Sequence, residues 1–228
     1  MRPRARRSTL GLTSLILVAS VVSALPAAAA PPKTRVLSSA DVPASFGQVQ
    51  GFTFSKKPKD YATTITLCTD SKGDPMAAIP APTPQYFAQS QIKPQRKNVF
   101  TNVSERVYAY PSADAAAAAY LQLSQEVVKC TGTVQGPAGE DPKVTDTYAN
   151  GSSPGGQFQN FWVQDSTVFA SRNPLNAGKT VMFSVYSQAG DAVIHTEVYI
   201  DGRLRVPAVQ RTDLQLLAMT LSSKWAPQ

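Results

Sequence analysis

The sequence predicts an α+β fold in which an antiparallel β-sheet carries two main α-helices on one face and one disulfide. Three observations lead to this class. Strand-like segments follow one another without intervening helices, which favours antiparallel pairing. Two segments, near Ser112 and from Thr212, have the apolar spacing of amphipathic helices. The only two cysteines, Cys68 and Cys130, both lie beyond an export-like leader.

The first thirty residues have the pattern of a secretory signal. Arginines precede residue 8, an apolar run covers residues 10–25, and alanines fill residues 27–30, as at a signal-peptidase site. The apolar run is about 16 residues long, whereas a membrane-spanning helix needs roughly 20. We therefore expect residues 1–30 to be a cleaved signal peptide and residues 31–228 to be one secreted domain without a stable membrane span.

The export route follows from the same leader. Arg6-Arg7 resembles a twin-arginine signal, but Thr9 stands where an aromatic residue is usual. Sec-type export is therefore favoured over Tat export. The expected location is the extracellular space.

The charge of the mature chain argues against nucleic-acid binding. The sequence has 22 Lys and Arg and 15 Asp and Glu, and four of the basic residues lie in the leader. The mature chain then has 18 basic and 15 acidic residues, a net charge of +3. This charge is too small for an electrostatic footprint on nucleic acid. Its roughly 200 residues suit one domain with a single core, and we expect a monomer.

The two cysteines predict a structural disulfide. An even cysteine count in an oxidising compartment favours pairing of Cys68 with Cys130. Closing a loop of about 60 residues stabilises a fold by roughly 4 kcal/mol through loop-closure entropy. Two cysteines and the lone His195 lack the number and spacing of zinc ligands. Since no phosphate, dinucleotide or calcium motif is present either, we expect no metal and no cofactor.

The N-terminal half predicts short elements. One helical turn is expected within residues 38–46, and strands over residues 49–54 and 62–68. Residues 71–95 contain five prolines, so we expect a long connection there with at most a helical turn near Tyr86.

A strand followed by a helix is the clearest local prediction. Residues 99–110 alternate with a period of two, as in a strand. Ser112 can cap the helix that follows, and Asp114 suits its positive end. The apolar stripe of this helix consists of Ala116, Tyr120, Leu123 and Val127 and is extended by Cys130.

The C-terminal half predicts consecutive strands and a last helix. The strands are expected over residues 144–148, 158–164, 168–172, 180–187 and 192–201. A flexible connection is expected over residues 151–156. Thr212-Asp213-Leu214-Gln215 fits a capping box, which places the start of the final helix near Thr212.

Two motifs resemble a known family. They are Leu67-Cys68 and the run Val107-Tyr108-Ala109-Tyr110-Pro111-Ser112-Ala113-Asp114-Ala115-Ala116, with Cys130 closing the helix. This pattern resembles the extracellular sensor domains of actinobacterial PknH-type Ser/Thr kinases and related free-standing exported proteins. The resemblance covers most of residues 36–225 and implies an antiparallel sheet with two helices and a ligand cleft. The kinase-attached form also has a transmembrane helix, a kinase domain and a second disulfide, which this sequence does not match.

One motif suggests catalysis. Gly151-Ser152-Ser153-Pro154-Gly155 matches the G-x-S-x-G nucleophile elbow, and His195 follows in a suitable order. An elbow needs a strand before it and a helix after it, but residues 158–164 predict a strand. A hairpin loop is therefore favoured and we expect no enzyme activity. A serine hydrolase or esterase using Ser153 and His195 is the alternative.

The candidate ligand-binding residues lie on two strands. Arg106 and Tyr108 share the less apolar face of one strand, and His195, Glu197 and Tyr199 share the less apolar face of another. The latter face is expected to point away from the main core. If the two faces coincide, they form a cleft suited to a polar or mixed ligand.

These observations predict a secreted, non-catalytic, sensor-like binding module of the cell envelope or extracellular space. Its partner is expected to be a small molecule or an envelope component. An extracellular protein–protein interaction partner is a further alternative.

Overall fold

The computed structural model describes residues 37–42, 48–49, 51, 53–55, 62–83, 85–93, 99–153, 160–202, 220 and 224. The predicted signal peptide lies outside these residues. Most of the predicted C-terminal helix does so too.

Nine strands of the described residues form one sheet. They are β1 Gln48–Val49, β2 Thr53–Ser55, β5 Gln85–Lys93, β6 Val99–Ala109, β7 Gly132–Gln135, β8 Lys143–Ser153, β9 Asn160–Ala170, β10 Gly178–Ala189 and β11 Ala192–Gly202. Their order is β1-β5-β6-β11-β10-β9-β8-β7, and β2 also pairs with β5. Strands β3 Thr64–Thr69 and β4 Pro75–Pro80 form a separate hairpin. Each of these pairings is antiparallel, as the sequence predicts.

The prediction of an irregular connection over residues 71–95 is wrong, because this segment contains β4 and β5. Pro75 and Pro80 are the first and last residues of β4. Proline is tolerated at the ends of a strand and on an edge strand because its missing N–H is not needed there. The two strands predicted over residues 158–164 and 168–172 are one strand, β9.

Helix α1 covers Ala113–Glu126 and continues as a 3₁₀ turn over Val127–Lys129. The predicted cap is confirmed, since Ser112 Oγ accepts a hydrogen bond from the Ala115 amide at 3.2 Å. The predicted disulfide is confirmed as well. Cys68 and Cys130 are bonded with their Cα atoms 5.7 Å apart, and Cys130 directly follows the 3₁₀ turn.

The sheet is covered on both faces. We call the face beneath α1 the helix face. Its core is formed by Ile65, Leu67 and Ile79 of the hairpin, Tyr120, Leu123 and Val127 of the helix segment, and Tyr108, Phe161, Tyr186 and Val193 of the sheet. The opposite face buries a second core that includes Leu37, Val42, Val103, Trp162, Phe183 and Val198.

The hairpin lies over the helix face without backbone pairing to the main sheet. Besides apolar contacts, side chains of the sheet bind its backbone. The Tyr186 hydroxyl donates to the Thr66 carbonyl at 3.5 Å, and the Thr69 amide donates to the Tyr148 hydroxyl at 3.5 Å. The disulfide adds a covalent link from this hairpin to the end of α1.

The prediction of two main helices on one face is not borne out. In the described part of the chain, α1 is the only α-helix of more than one residue. Of the predicted final helix, the structure describes only Thr220 and Lys224, and both residues are helical. Lys224 forms an ion pair with Asp41. Asp41 belongs to a 3₁₀ turn between Leu37 and Val42, which pack on the opposite face. Both faces need such covers because β6, β10 and β11 carry apolar residues on each side.

Among the residues that the structure describes, we find no helix with the length and apolarity needed to cross a membrane.

Gly151→Ala is expected to destabilise the protein by about 1–3 kcal/mol, the usual result of overpacking a core. A Cβ at Gly151 would lie 2.6 Å from Cζ2 of Trp162, whose ring stacks on Phe183 at 5.6 Å. Urea unfolding measures the loss. Ser152→Ala, at an exposed neighbour in β8, is the control and should change the free energy of unfolding by less than about 0.5 kcal/mol. Equal stability of the two variants would contradict this packing argument.

Cys68→Ala is expected to lower the free energy of unfolding by about 4 kcal/mol, because it removes a covalent loop of 62 residues. Cys130→Ala and the double variant serve as controls and should show the same loss, since one cysteine alone cannot form the bond. Denaturant unfolding measures stability, and hydrogen exchange of the hairpin amides reports where protection is lost. A double variant as stable as the wild type would refute the expected contribution of the disulfide.

Candidate functional site

The register of β6 and β11 brings the predicted site residues onto one face. Arg106 lies directly opposite His195, Tyr108 opposite Val193, and Ser104 opposite Glu197. Because side chains alternate along a strand, the five candidates Arg106, Tyr108, His195, Glu197 and Tyr199 all belong to the same side of the sheet. The two strand faces that the sequence singled out therefore coincide.

This face does not point away from the core, and that prediction is wrong. It is the helix face, where Tyr108 and Val193 are buried in the core with residues of α1. Tyr108 is 3% exposed, and burial raises the pKa of its hydroxyl. Tyr108 therefore supports the floor of the site from within the core. The other four candidates are half-buried.

His195 is held as a neutral ring. Its imidazole stacks on Tyr186 with a centroid distance of 4.4 Å and an interplanar angle of 4°. Its Nε2 atom is buried and has no hydrogen-bond partner among the described residues. Burial and the nearby Arg106 lower the pKa of His195 to about 3. An imidazole with this pKa is uncharged at neutral pH and is a weak general base.

Arg106 is positioned by β5. Its Nη1 donates to Gln85 Oε1 at 3.0 Å, and its guanidinium carbon lies 5.0 Å from the centroid of the Phe87 ring, a cation–π distance. Gln85 is itself fixed, because its Nε2 donates to the carbonyls of Ala62 and Pro82 at 2.8 and 3.0 Å. The guanidinium is therefore held over β5 while the residue stays partly accessible to solvent.

Glu197 and Tyr199 continue the floor along β11. Burial raises the pKa of Glu197, and the charge of Arg106 opposes that rise. Within the described ranges Glu197 takes part in no ion pair. The Tyr199 hydroxyl hydrogen-bonds with the Thr180 side chain, and burial raises its pKa. The floor thus combines a fixed cation, a carboxyl group and aromatic rings.

The sequence reading missed the contribution of β5. Gln85, Phe87, Gln89 and Gln91 lie on the helix face, next to β6. The sequence does contain the alternation that is typical of a strand, because these residues alternate with Tyr86 and Ala88, which are buried on the other side of the sheet. The surrounding prolines outweighed this alternation in the prediction.

Of the G-x-S-x-G motif, Gly151, Ser152 and Ser153 belong to strand β8, and the last two residues lie outside the described ranges. Ser153 is the last residue of β8 and pairs with Asn160 of β9. Two strands, β9 and β10, separate β8 from the strand of His195. Three strand spacings amount to about 14 Å, well beyond the hydrogen-bond reach that a nucleophile and its base require.

Glu105 lies directly behind the site. It neighbours Arg106 in β6 but is on the opposite face, where it is fully buried. Its Oε1 accepts a hydrogen bond from the Leu37 amide at 3.2 Å, and its Oε2 has no partner in the part of the chain that the structure describes. Burial raises the pKa of Glu105 to about 8; Lys224 counteracts this rise and Asp41 adds to it. The carboxyl is therefore mainly protonated at neutral pH.

Comparison with known proteins gives a weak resemblance of fold. No family model matches the chain, and no curated protein matches it. Among solved structures, the extracellular domain of PknH from Mycobacterium tuberculosis is similar, with 15% sequence identity and a TM-score of 0.45. The match covers 83% of this chain and 92% of that chain. The likeness concerns the general fold alone.

Glu105→Gln is expected to make stability less dependent on pH. The carboxyl titrates near its ordinary value of 4.5 in the unfolded chain and near 8 in the folded chain. Between these values the folded state keeps a proton that the unfolded state releases, so the contribution of Glu105 to stability falls as pH rises, and above pH 6.5 the opposing contribution of His195 no longer offsets this fall. Glutamine cannot ionise, and the variant should lose less stability.

Urea unfolding at a series of pH values between 6.5 and 8 tests this effect. Glu140→Gln is the matched control, because Glu140 is exposed, and it should keep the wild-type dependence. The same slope in Glu105→Gln and wild type would show that Glu105 ionises normally in the folded protein.

Proposed function

We propose that this protein is an exported, non-catalytic module that binds a small molecule or an envelope component on the helix face of its sheet. One observation carries the proposal. Arg106 is held in place by Gln85 and Phe87 and yet remains partly accessible, beside the half-buried Glu197. Partial burial of charged groups disfavours folding unless other interactions compensate, and convergent polar groups in a largely apolar setting are typical of ligand sites.

Export is supported by two features. The first thirty residues have the basic, apolar and small-residue order of a signal peptide. The disulfide between Cys68 and Cys130 suits an oxidising compartment. Together they support a location outside the cytoplasm.

A binding role is favoured over hydrolysis by the state of His195. The ring is neutral, stacked on Tyr186, and lies three strands from the strand of Ser153. A general base for a serine nucleophile needs contact with that serine and a pKa near the working pH. The proposed role of His195 is therefore to form part of the binding floor.

Arg106→Ala and Tyr199→Ala are expected to weaken ligand retention by about tenfold or more, because each removes a charged or aromatic contact from the floor. Oxidised protein from the secreted fraction of its native host is measured by native mass spectrometry, and wild type should carry an additional small mass. The control is Arg172→Ala, at an exposed arginine outside the site, which should retain the ligand. Unchanged ligand retention in both site variants would refute the proposal. A wild type that carries no additional mass, and gains none after incubation with host extract, would refute it as well.

A further inference from the structure

Ser104 lies in the floor of the site, on the same strand as Arg106 and directly opposite Glu197. We call the group of Ser104, Arg106 and Glu197 the Ser104 notch. Ser104 is the cross-strand neighbour of Glu197 on β11 and of Gln89 on β5. Its side chain is small and only 8% exposed, whereas the flanking charged side chains are long. The guanidinium is held over β5 and Glu197 is on β11, so the two charges stand on either side of β6.

Arg106 and Glu197 do not neutralise each other by direct contact. As diagonal neighbours on paired strands their backbones are about 7–8 Å apart, which long side chains can bridge. Yet the ion pairs found among the described residues are Lys129–Glu126 and Lys224–Asp41. The contacts of the guanidinium with Gln85 and Phe87 explain the separation, because they draw it away from β11.

We infer that the Ser104 notch binds a small zwitterion of the amino-acid type, with its carboxylate on Arg106 and its ammonium group on Glu197. This inference rests on the proposed function and specifies its ligand class. The planar guanidinium has several N–H donors beyond the one bonded to Gln85, and its geometry matches a carboxylate. The carboxyl group of Glu197 has acceptor oxygens for an ammonium group.

The charge pattern favours a zwitterion over a simple ion. A plain anion on Arg106 would be repelled by the carboxylate form of Glu197, and a plain cation on Glu197 would be repelled by Arg106. The neutral His195 adds no third charge to this balance. Two charge-assisted hydrogen bonds of about 2.8 Å and the short backbone of one amino acid match the scale of the two strand spacings, about 10 Å, between β5 and β11. The half-buried Tyr199 offers an aromatic surface for an apolar ligand side chain.

Binding of L-phenylalanine, phenylalaninamide and N-acetylphenylalanine to the oxidised mature protein tests the inference. Titration is followed by two-dimensional NMR and calorimetry. L-Phenylalanine is expected to bind at least about tenfold more tightly than either blocked derivative, since each derivative lacks one charge-assisted contact. Its chemical-shift changes should centre on residues of β6 and β11 around Ser104.

Two variants assign the contacts. Arg106→Gln should bind L-phenylalanine and its amide with similar affinity, because the carboxylate partner is gone. Glu197→Gln should bind L-phenylalanine and its N-acetyl derivative with similar affinity, because the ammonium partner is gone. Arg172→Gln is the control and should keep both preferences. Melting curves and the amide spectrum establish that each variant is folded.

Three results would overturn the inference. They are equal binding of the free and blocked probes by wild type, preferences that survive in the two site variants, and no binding of any common free amino acid at millimolar concentration. A host molecule that Arg106→Ala no longer retains, but that lacks the paired charges of a zwitterion, would overturn this inference and leave the proposed function intact. Site variants that affect no ligand at all would refute both.

Discussion

The pairing of β6 with β11 at the centre of the sheet is the constraint on which the rest of the molecule depends. Eleven residue pairs are in register from Ala192–Ala109 to Gly202–Val99. A slip by one residue would exchange the faces of every side chain on the slipped strand. Glu105 would then replace Arg106 on the helix face, and the guanidinium would enter an apolar core. The need to bury the apolar residues of both faces therefore fixes the register, and the register in turn fixes the position of the charged site residues.

Burial also determines the charge of two groups near this pairing, with opposite effects on stability. The lowered pKa of His195 makes stability fall as pH drops from 6.5 towards 3, because the unfolded chain takes up the proton first. The raised pKa of Glu105 makes stability fall as pH rises from 4.5 towards 8. Between pH 4.5 and 6.5 the two contributions offset each other. Both groups are mainly neutral around neutral pH, so neither the carboxyl group behind Arg106 nor the ring beside it adds a charge to this region.

Local signals in the sequence account for the elements that were predicted correctly. The alternation over residues 99–110, the cap at Ser112 and the pairing of two cysteines each depend on neighbouring residues or on a count. The prolines of residues 71–95 led to the wrong prediction for β4 and β5. A proline disrupts a strand in its interior but is tolerated at its end, and the sequence alone does not show where a strand ends. The exposure of His195 was misjudged because both faces of β11 are covered, by α1 on one side and the segment around Leu37 on the other. The position of the Arg106 guanidinium depends on partners from β5, which one sequence does not reveal.

The hairpin of β3 and β4 links the site to the disulfide, and so to the redox conditions around the protein. A path of contacts runs from Cys68 through Thr66 to Tyr186, on which His195 stacks. Where glutathione keeps thiols reduced, this path has no covalent anchor at the helix end. The hairpin is then held on the helix face by non-covalent contacts alone. Under the proposed export, the disulfide that completes this attachment would form only outside the cytoplasm, so the fold around the proposed site would mature in the compartment where the protein is expected to act.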